Sequence, residues 1–410
     1  MSLTRNEKNW IFYDVGNSAF TMLLSTIMPI YFNYLAEQAS ISSVDYLAYW
    51  GYASSVATFL VAILGPICGT LADTQGYKKR IFLYFLTVGL VGCVLLGFVP
   101  HWLGFLLVLI ITKVGYSGSL VIYDAMLTDV TTERRMDMVS SHGYAWGYIG
   151  SCIPFVLSLV LVLGGPSVGM SLSLSMQLAF GLTAIWWLAC TVPLLKTYEQ
   201  KHFAALPKHV VRDSFSRLYQ TAKQIGKQKK IFIFLLSFFC YIDGVYTIIG
   251  MATAYGTALG LDSTGLLLAL LVTQIVAFPF AILFGRLAQK YNTARLITVC
   301  IVAYFGIAVF AIFLHTQLQF WILAVLVGMF QGGIQALSRS YFAKIIPAEA
   351  SGEYFGIMDI CGKSATFVGT TLVGVVSQLT GSINFGVGVI AVLFLIGLAL
   401  FRLCERTELQ

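Results

Sequence analysis

A chain of 410 residues that is 58% apolar and only 10% charged, with a mean hydropathy of +0.84, excludes a soluble globular domain, in which about a quarter of residues carry charge. The net charge of +7 falls in short clusters between apolar runs. That distribution reads as membrane topology and excludes nucleic acid as a partner.

Apolar runs of about 20 residues, the length that crosses a hydrocarbon core, recur from end to end. Lipid offers the backbone no hydrogen-bond partner, and the runs are continuous rather than alternating, so they predict helices and not a barrel. The predicted spans are 9–36, 46–72, 80–99, 102–129, 137–163 and 174–195, then 231–259, 262–289, 293–313, 319–345, 351–379 and 382–403. The first run is too long for the core of a cleavable signal. Of the 25 Lys and Arg, 23 lie on one side of this arrangement, and the remaining two, Lys113 and Lys363, lie inside helices. The opposite loops hold Glu37, Asp45 and Asp262 and no basic residue. The positive-inside rule then predicts cytoplasmic termini and a multi-pass protein of a bacterial inner or plasma membrane.

Residues 196–230 form the one long polar stretch and divide the chain into bundles at 1–195 and 231–410. Within it Val211, Phe215, Leu218, Tyr219, Ala222 and Ile225 fall at helical spacing, with Asp213 or Ser214 as N-cap. This predicts an amphipathic helix lying against membrane lipids. The halves repeat: Gly69-Thr-Leu-Ala-Asp73 ends the second helix, and Gly285-Arg-Leu-Ala-Gln289 ends the eighth, 216 residues later. The first and seventh helices match as well, through Tyr13-Asp14-Val-Gly16 and Tyr241-Ile-Asp243-Gly244. The expected fold is an all-α membrane protein of twelve transmembrane helices in two pseudo-symmetric six-helix bundles, a known transporter architecture.

The stretch Gly69-Thr-Leu-Ala-Asp73-Thr-Gln-Gly76-Tyr-Lys78-Lys79-Arg80 resembles the loop 2–3 signature of the major facilitator superfamily. Four more stretches resemble its vacuole-effluxer-like branch, the autophagy-related amino-acid effluxers. They begin at Tyr13, Ser140, Tyr241 and Gly332, and the last runs Gly332-Gly-Ile-Gln335-Ala-Leu-Ser338-Arg339-Ser340. Two departures stand out. Helix 4 reads Tyr123-Asp124-Ala-Met-Leu-Thr128 without the family's Asn or proline, and the second loop has Gln289 in place of an acid, so one gate keeps its carboxylate. The resemblance implies a gate built from Gly69, Asp73, Gly76, Arg80 and Arg339. Gly69 would allow close helix approach, Gly76 a tight turn, and Asp73 would cap a helix start or pair with Arg80.

Charges inside membrane helices cost roughly 2.5–3.5 kcal/mol each at the helix centre, so they should face protein or a cleft. Asp14, Lys113, Asp124, Asp243, Asp359 and Lys363 are such residues. Asn17 extends a polar stripe from Asp14, and Gln331 and Gln335 form another with Ser338. Together they are the expected substrate and proton pathway, with Asp243 as the proton site and Asp359 and Lys363 placed to pair at i, i+4. The same groups also fit a purely structural role as mutually satisfied pairs. No metal or cofactor is expected. The eight cysteines make no C-x-x-C, the histidines have no metal spacing, and Gly362-Lys363-Ser364 lacks the upstream glycine of a phosphate loop.

The expectation is therefore a monomeric secondary active transporter, not an enzyme, moving a small solute such as an amino acid by alternating access, coupled to protons and directed toward efflux. Its partners would be that solute, protons and lipid. Two other readings stay open: an exporter or flippase of a lipid-like or drug-like amphiphile, and a non-transporting sensor or scaffold.

Overall fold

The computed structural model describes residues 2–41, 43–204, 216, 219–221 and 223–407. Among them are twelve helices long and apolar enough to cross a membrane, and no strand. They are α1 (Arg5–Gln38), α2 (Ser43–Ala72), α3 (Lys78–Leu96), α4 (Trp102–Val130) and α5 (Met136–Gly164). Then come α6 (Leu172–Thr197), α7 (Lys229–Ala258), α8 (Ser263–Leu287), α9 (Thr293–Ile312), α10 (Gln317–Ile345), α11 (Ser351–Thr380) and α12 (Ile383–Arg406).

Local chemistry explains the boundaries. Thr4 and Glu7 form a reciprocal capping box at the start of α1, and Thr316 with Gln319 does the same for α10. Asp262 caps α8 through Gly265 N at 2.7 Å, and Asn292 caps α9. The break in α1 at Thr26 has a cause in Pro29, which cannot donate to the Ser25 carbonyl four residues back. Of the expected surface helix, Tyr219 and Ile225 are helical, the first exposed and the second buried. Val211, Asp213, Ser214, Phe215, Leu218 and Ala222 lie outside the described residues.

The chain forms two compact units. Unit 1 holds the described residues within 1–130, 146–214 and 348–356; unit 2 holds those within 131–145, 215–347 and 357–410. In unit 1 the α3–α4 crossing is nearly backbone on backbone. A Cβ on Gly115 would stand 2.4 Å from Gly89 N, and one on Gly92 would stand 2.1 Å from Thr112 Oγ1. Small residues of this kind let helices approach where no hydrophobic effect drives them together. Around them Trp10 stacks on Tyr123 at 4.3 Å and donates through Nε1 to its carbonyl at 3.0 Å. In unit 2, Ser237 Oγ of α7 donates to the Gly397 carbonyl of α12 at 2.7 Å. The internal repeat survives as one shared link: Tyr13 with Ser119 Oγ in unit 1, and Tyr241 with Ser338 Oγ in unit 2, both at 2.7 Å. Each joins the first helix of a half to the fourth.

Replacing Gly115 by Val should therefore overpack the crossing and destabilise the protein by about 2 kcal/mol. Gly181→Ala, on α6 with open space at its Cβ, should leave stability unchanged or slightly raised. Thermal unfolding of the two purified variants in detergent, followed by tryptophan fluorescence, measures the difference.

Candidate functional site

The most connected polar group in unit 1 lies at the end that carries the basic loops. Gly69 near the end of α2 and Gly352 at the start of α11 touch through their backbones: a Cβ on Gly69 would lie 2.1 Å from the Gly352 carbonyl oxygen. Gly76 follows at φ +77°, a left-handed turn that brings the chain into α3. Between them Asp73, wholly buried, caps α11. Its Oδ1 accepts from Gly352 N at 2.8 Å and its Oδ2 from Glu353 N at 2.9 Å. A carboxylate there satisfies two otherwise orphaned N–H groups and sits at the positive end of the helix dipole.

The base that meets Asp73 is Lys78 and not Arg80. Lys78 Nζ, also wholly buried, lies 3.5 Å from Asp73 Oδ1 and 3.3 Å from Asp129 Oδ2, and donates to Ser351 Oγ at 2.9 Å. Arg80 is exposed, its guanidinium 5.8 Å from the centre of the Tyr77 ring. Two residues along a helix turn about 200°, so when Lys78 points inward Arg80 points out.

Asp129 extends this network to the polar stretch after α6. Its Oδ1 accepts from the backbone N–H of Lys201 and His202 at 3.1 and 2.8 Å, and its Oδ2 from the Tyr198 hydroxyl at 2.5 Å. Burial, and then the facing Asp129 carboxylate, hold the Tyr198 phenol far above its ordinary range, so it stays a donor. Ala204 pairs with Asp73 and Gln75 through backbone bonds, and Gln200 Oε1 accepts from Gly76 N at 3.0 Å. The sequence reading named none of Asp129, Tyr198 or Ser351 as functional. Of the three, Asp129 alone carries a signal in the sequence, an acid closing an apolar run.

Deeper in unit 1, Asp14 is 6% exposed and its Oδ1 accepts from Asn17 Nδ2 at 3.3 Å. Lys113 and Asp124 are half-buried on α4. In unit 2, Asp243 of α7 is wholly buried. Its Oδ1 accepts from Gly369 N of α11 at 3.0 Å and from Thr247 Oγ1 at 3.2 Å, while its Oδ2 has no hydrogen-bond partner among the described residues. A Cβ on Gly369 would lie 2.3 Å from Asp243 Oδ1, so only glycine allows this approach. Asp359 and Lys363 form an ion pair on α11, each partly exposed. Gln335 is half-buried on α10. Gln331, one turn earlier, is 5% exposed with an unpartnered Oε1. It lines a cavity of about 50 Å³ between α7, α8 and α10, where Thr273 and Gln274 are the other polar side chains among Ile248, Leu270 and Phe320. No group of three or more His, Cys, Asp or Glu that could hold a metal occurs among the described residues.

Truncating Asp73 to Ala leaves Lys78 short of one carboxylate and two α11 amides bare. The expected loss is about 3 kcal/mol, the scale for breaking a buried pair from one side. Arg80→Ala should unfold within a degree or so of wild type, about the scatter expected for an exposed substitution. Thermal unfolding in detergent compares them.

A family model described as vacuole effluxer Atg22 like matches residues 4–133 and 128–408. The MFS-type transporter YxiO of Bacillus subtilis is 44% identical over 402 residues, which is 97% of this chain and 94% of that one. Autophagy-related protein 22 of Kluyveromyces lactis is 21% identical over 97% of this chain and 93% of its own. The fungal protein of that name in Cryptococcus neoformans (strain JEC21) is 27% identical over 64% of this chain and 48% of its own. Among solved structures, the Escherichia coli fucose:proton symporter FucP superposes with a TM-score of 0.71 at 15% identity, covering 98% of both chains. The human organic anion transporter MFSD10 gives 0.70 at 14%, covering 98% of this chain and all of that one.

Proposed function

This chain belongs to the vacuole effluxer Atg22-like family, with the fold of the major facilitator transporters and twelve membrane-spanning helices, and on that premise we propose that it carries a small zwitterion, such as an amino acid, out of the cytoplasm in exchange for protons. In this reading it acts as a monomer with both termini cytoplasmic, in accord with the basic loops. The bundles at 1–195 and 231–410 rock about a midplane site that opens to each side in turn.

The observation that carries the reading is Asp243. A buried carboxylate with one oxygen bonded and the other bare is costly when ionised, and a proton on Oδ2 removes that charge. Its partners are a hydroxyl and a backbone amide, and among the described residues no cation is bonded to it. Asp359 and Lys363 differ, because they satisfy one another and remain partly exposed. A zwitterion can open that pair by giving its carboxylate to Lys363 and its ammonium to Asp359, so that no net charge enters the membrane. Gln331 Oε1 supplies a neutral acceptor in a cavity it shares with Thr273 and Gln274. Asp73 and Lys78 serve as a gate at the cytoplasmic end, held while that end is closed.

The second reading, export of a lipid-like amphiphile, draws on that same cavity, since nine of its twelve lining residues are apolar. Its three polar side chains, Thr273, Gln274 and Gln331, and the ion pair of Asp359 with Lys363 in the same unit favour the zwitterion.

Two measurements test this. In proteoliposomes, a pH gradient should drive labelled amino acid through the wild type. Asp243→Asn should cut gradient-driven flux by an order of magnitude or more while leaving solute exchange at equal pH intact, and an unaltered gradient response would remove the coupling role. A thermal-shift screen of amino acids, peptides and lipids should give stabilising hits of the first class that Lys363→Ala loses; lipid hits indifferent to Lys363→Ala would favour the amphiphile.

A further inference from the structure

Two polar side chains toward the end of α10 are tied off within unit 2. Ser338 is bonded to Tyr241, and Arg339 donates to Ser140 of α5, through Nε to its hydroxyl at 2.9 Å and through Nη2 to its carbonyl at 3.0 Å. Gln331 differs. It is 5% exposed, and among the described residues its Oε1 has no hydrogen-bond partner. The cavity it lines measures about 50 Å³, room for roughly three to five atoms the size of a water molecule. That holds a short side chain and not a whole amino acid. Thr273 of α8 lines the same cavity. Its hydroxyl proton goes to the Ala269 or the Ala324 carbonyl, at 3.0 and 3.2 Å, so it offers a guest only a lone pair. None of the residues lining the cavity carries a charge.

The repeat argues against an accident of packing. Counted from the Tyr–Ser link, Ile248 stands seven residues after Tyr241, as Phe20 stands seven after Tyr13. Gln331 stands seven before Ser338, as Thr112 stands seven before Ser119. In unit 1 these positions are closed. Phe20 is wholly buried against Tyr116 and Trp187, with ring centres 4.9 and 5.5 Å away. Thr112 donates to the Val108 carbonyl at 2.6 Å and lies against Gly92. Thr273 stands twelve residues before Gly285, as the buried Ala57 stands twelve before Gly69. Unit 2 therefore has an aliphatic side chain in place of a ring, an amide in place of a satisfied hydroxyl, and a hydroxyl in place of a methyl.

We propose that this cavity is the side-chain pocket for the transported solute, and that it selects a short, uncharged side chain ending in a hydrogen-bond donor over an apolar one of the same shape. The proposal rests on the zwitterion reading above and deepens it by naming the side chain. An apolar guest strands the Gln331 oxygen away from water. A hydroxyl or amide guest instead exchanges its bond to water for one to that oxygen. The charged ends of the solute stay outside, because nothing in the lining neutralises them.

Threonine and valine share a shape and differ by a hydroxyl in place of a methyl, so they test the donor directly. Titrations of the full-length protein in lipid nanodiscs, read by thermal shift, should show wild type binding threonine on the order of tenfold more tightly than valine. Gln331→Leu should bring that ratio to one or below. If that variant folds poorly, Ala252→Leu fills the cavity from α7 instead. It should weaken threonine on the order of tenfold relative to glycine, which brings no side chain to the pocket. The proposal is overturned by valine binding wild type as tightly as threonine, by a threonine preference that survives Gln331→Leu, or by a threonine-to-glycine ratio that Ala252→Leu leaves unchanged. If no amino acid, glycine included, stabilises the wild type, the zwitterion reading fails. Isopropanol and acetone, alike in shape but with and without a donor, then test the pocket at matched concentration. A larger shift with isopropanol that Gln331→Leu abolishes leaves the donor preference standing, and equal shifts overturn it.

Discussion

A helix start leaves its first amides without partners, and a charge that leaves water must be met by protein. Both demands fall together at the first turns of α5 and α11, and buried carboxylates with several donors each answer them. Asp73 meets the α11 amides with a carboxylate, and Lys78 neutralises that carboxylate together with Asp129. The Asp129 carboxylate then accepts from Tyr198 and from the backbone of residues 201 and 202. Removing one member strands the others, which is why such a network behaves as a unit rather than as a sum of bonds.

The twelve helices and their division into two repeats were legible because lipid enforces a coarse code. Spans must be long, apolar and helical, and the basic residues between them mark one side. The Gly69–Arg80 signature was legible too, since Gly69 and Gly76 have distinct physical jobs. What the pattern could not supply was the choice among three adjacent bases. Lys78, Lys79 and Arg80 look equivalent in sequence, and only the rotation of α3 turns Lys78 inward and Arg80 out. Asp129 and Asp137 were missed for a related reason. Each stands at the end of an apolar run, where acids are ordinary, and its partners lie far along the chain: Asp129 reaches residue 202, and Asp137 reaches Lys344.

The repeat also separates what duplication kept from what it changed. The Tyr–Ser link between the first and fourth helices of each half is the same in both units, to the same distance. The ionic groups are not. Asp14 accepts from Asn17 on its own helix, and Asp243 accepts from Thr247 on its own helix and from the backbone of α11. An apolar or neutral link is indifferent to which half it serves. A charge is not, and the asymmetry of the charges is where a direction of transport can be written.

α11 carries most of that asymmetry along one helix. Its first residues, 351–353, receive Asp73 and Lys78; roughly two to three turns later come Asp359 and Lys363; and at Gly369 its backbone donates to Asp243. The glycine at 369 is obligatory for that last contact, since any side chain would displace the carboxylate. A proton arriving at Asp243 weakens it as an acceptor for the Gly369 amide. In the proposed cycle the same helix then feels the proton at one point, the solute at a second and the gate at a third. Coupling between distant sites needs an element that both can bias, and α11 is positioned to be that element without any longer chain of contacts.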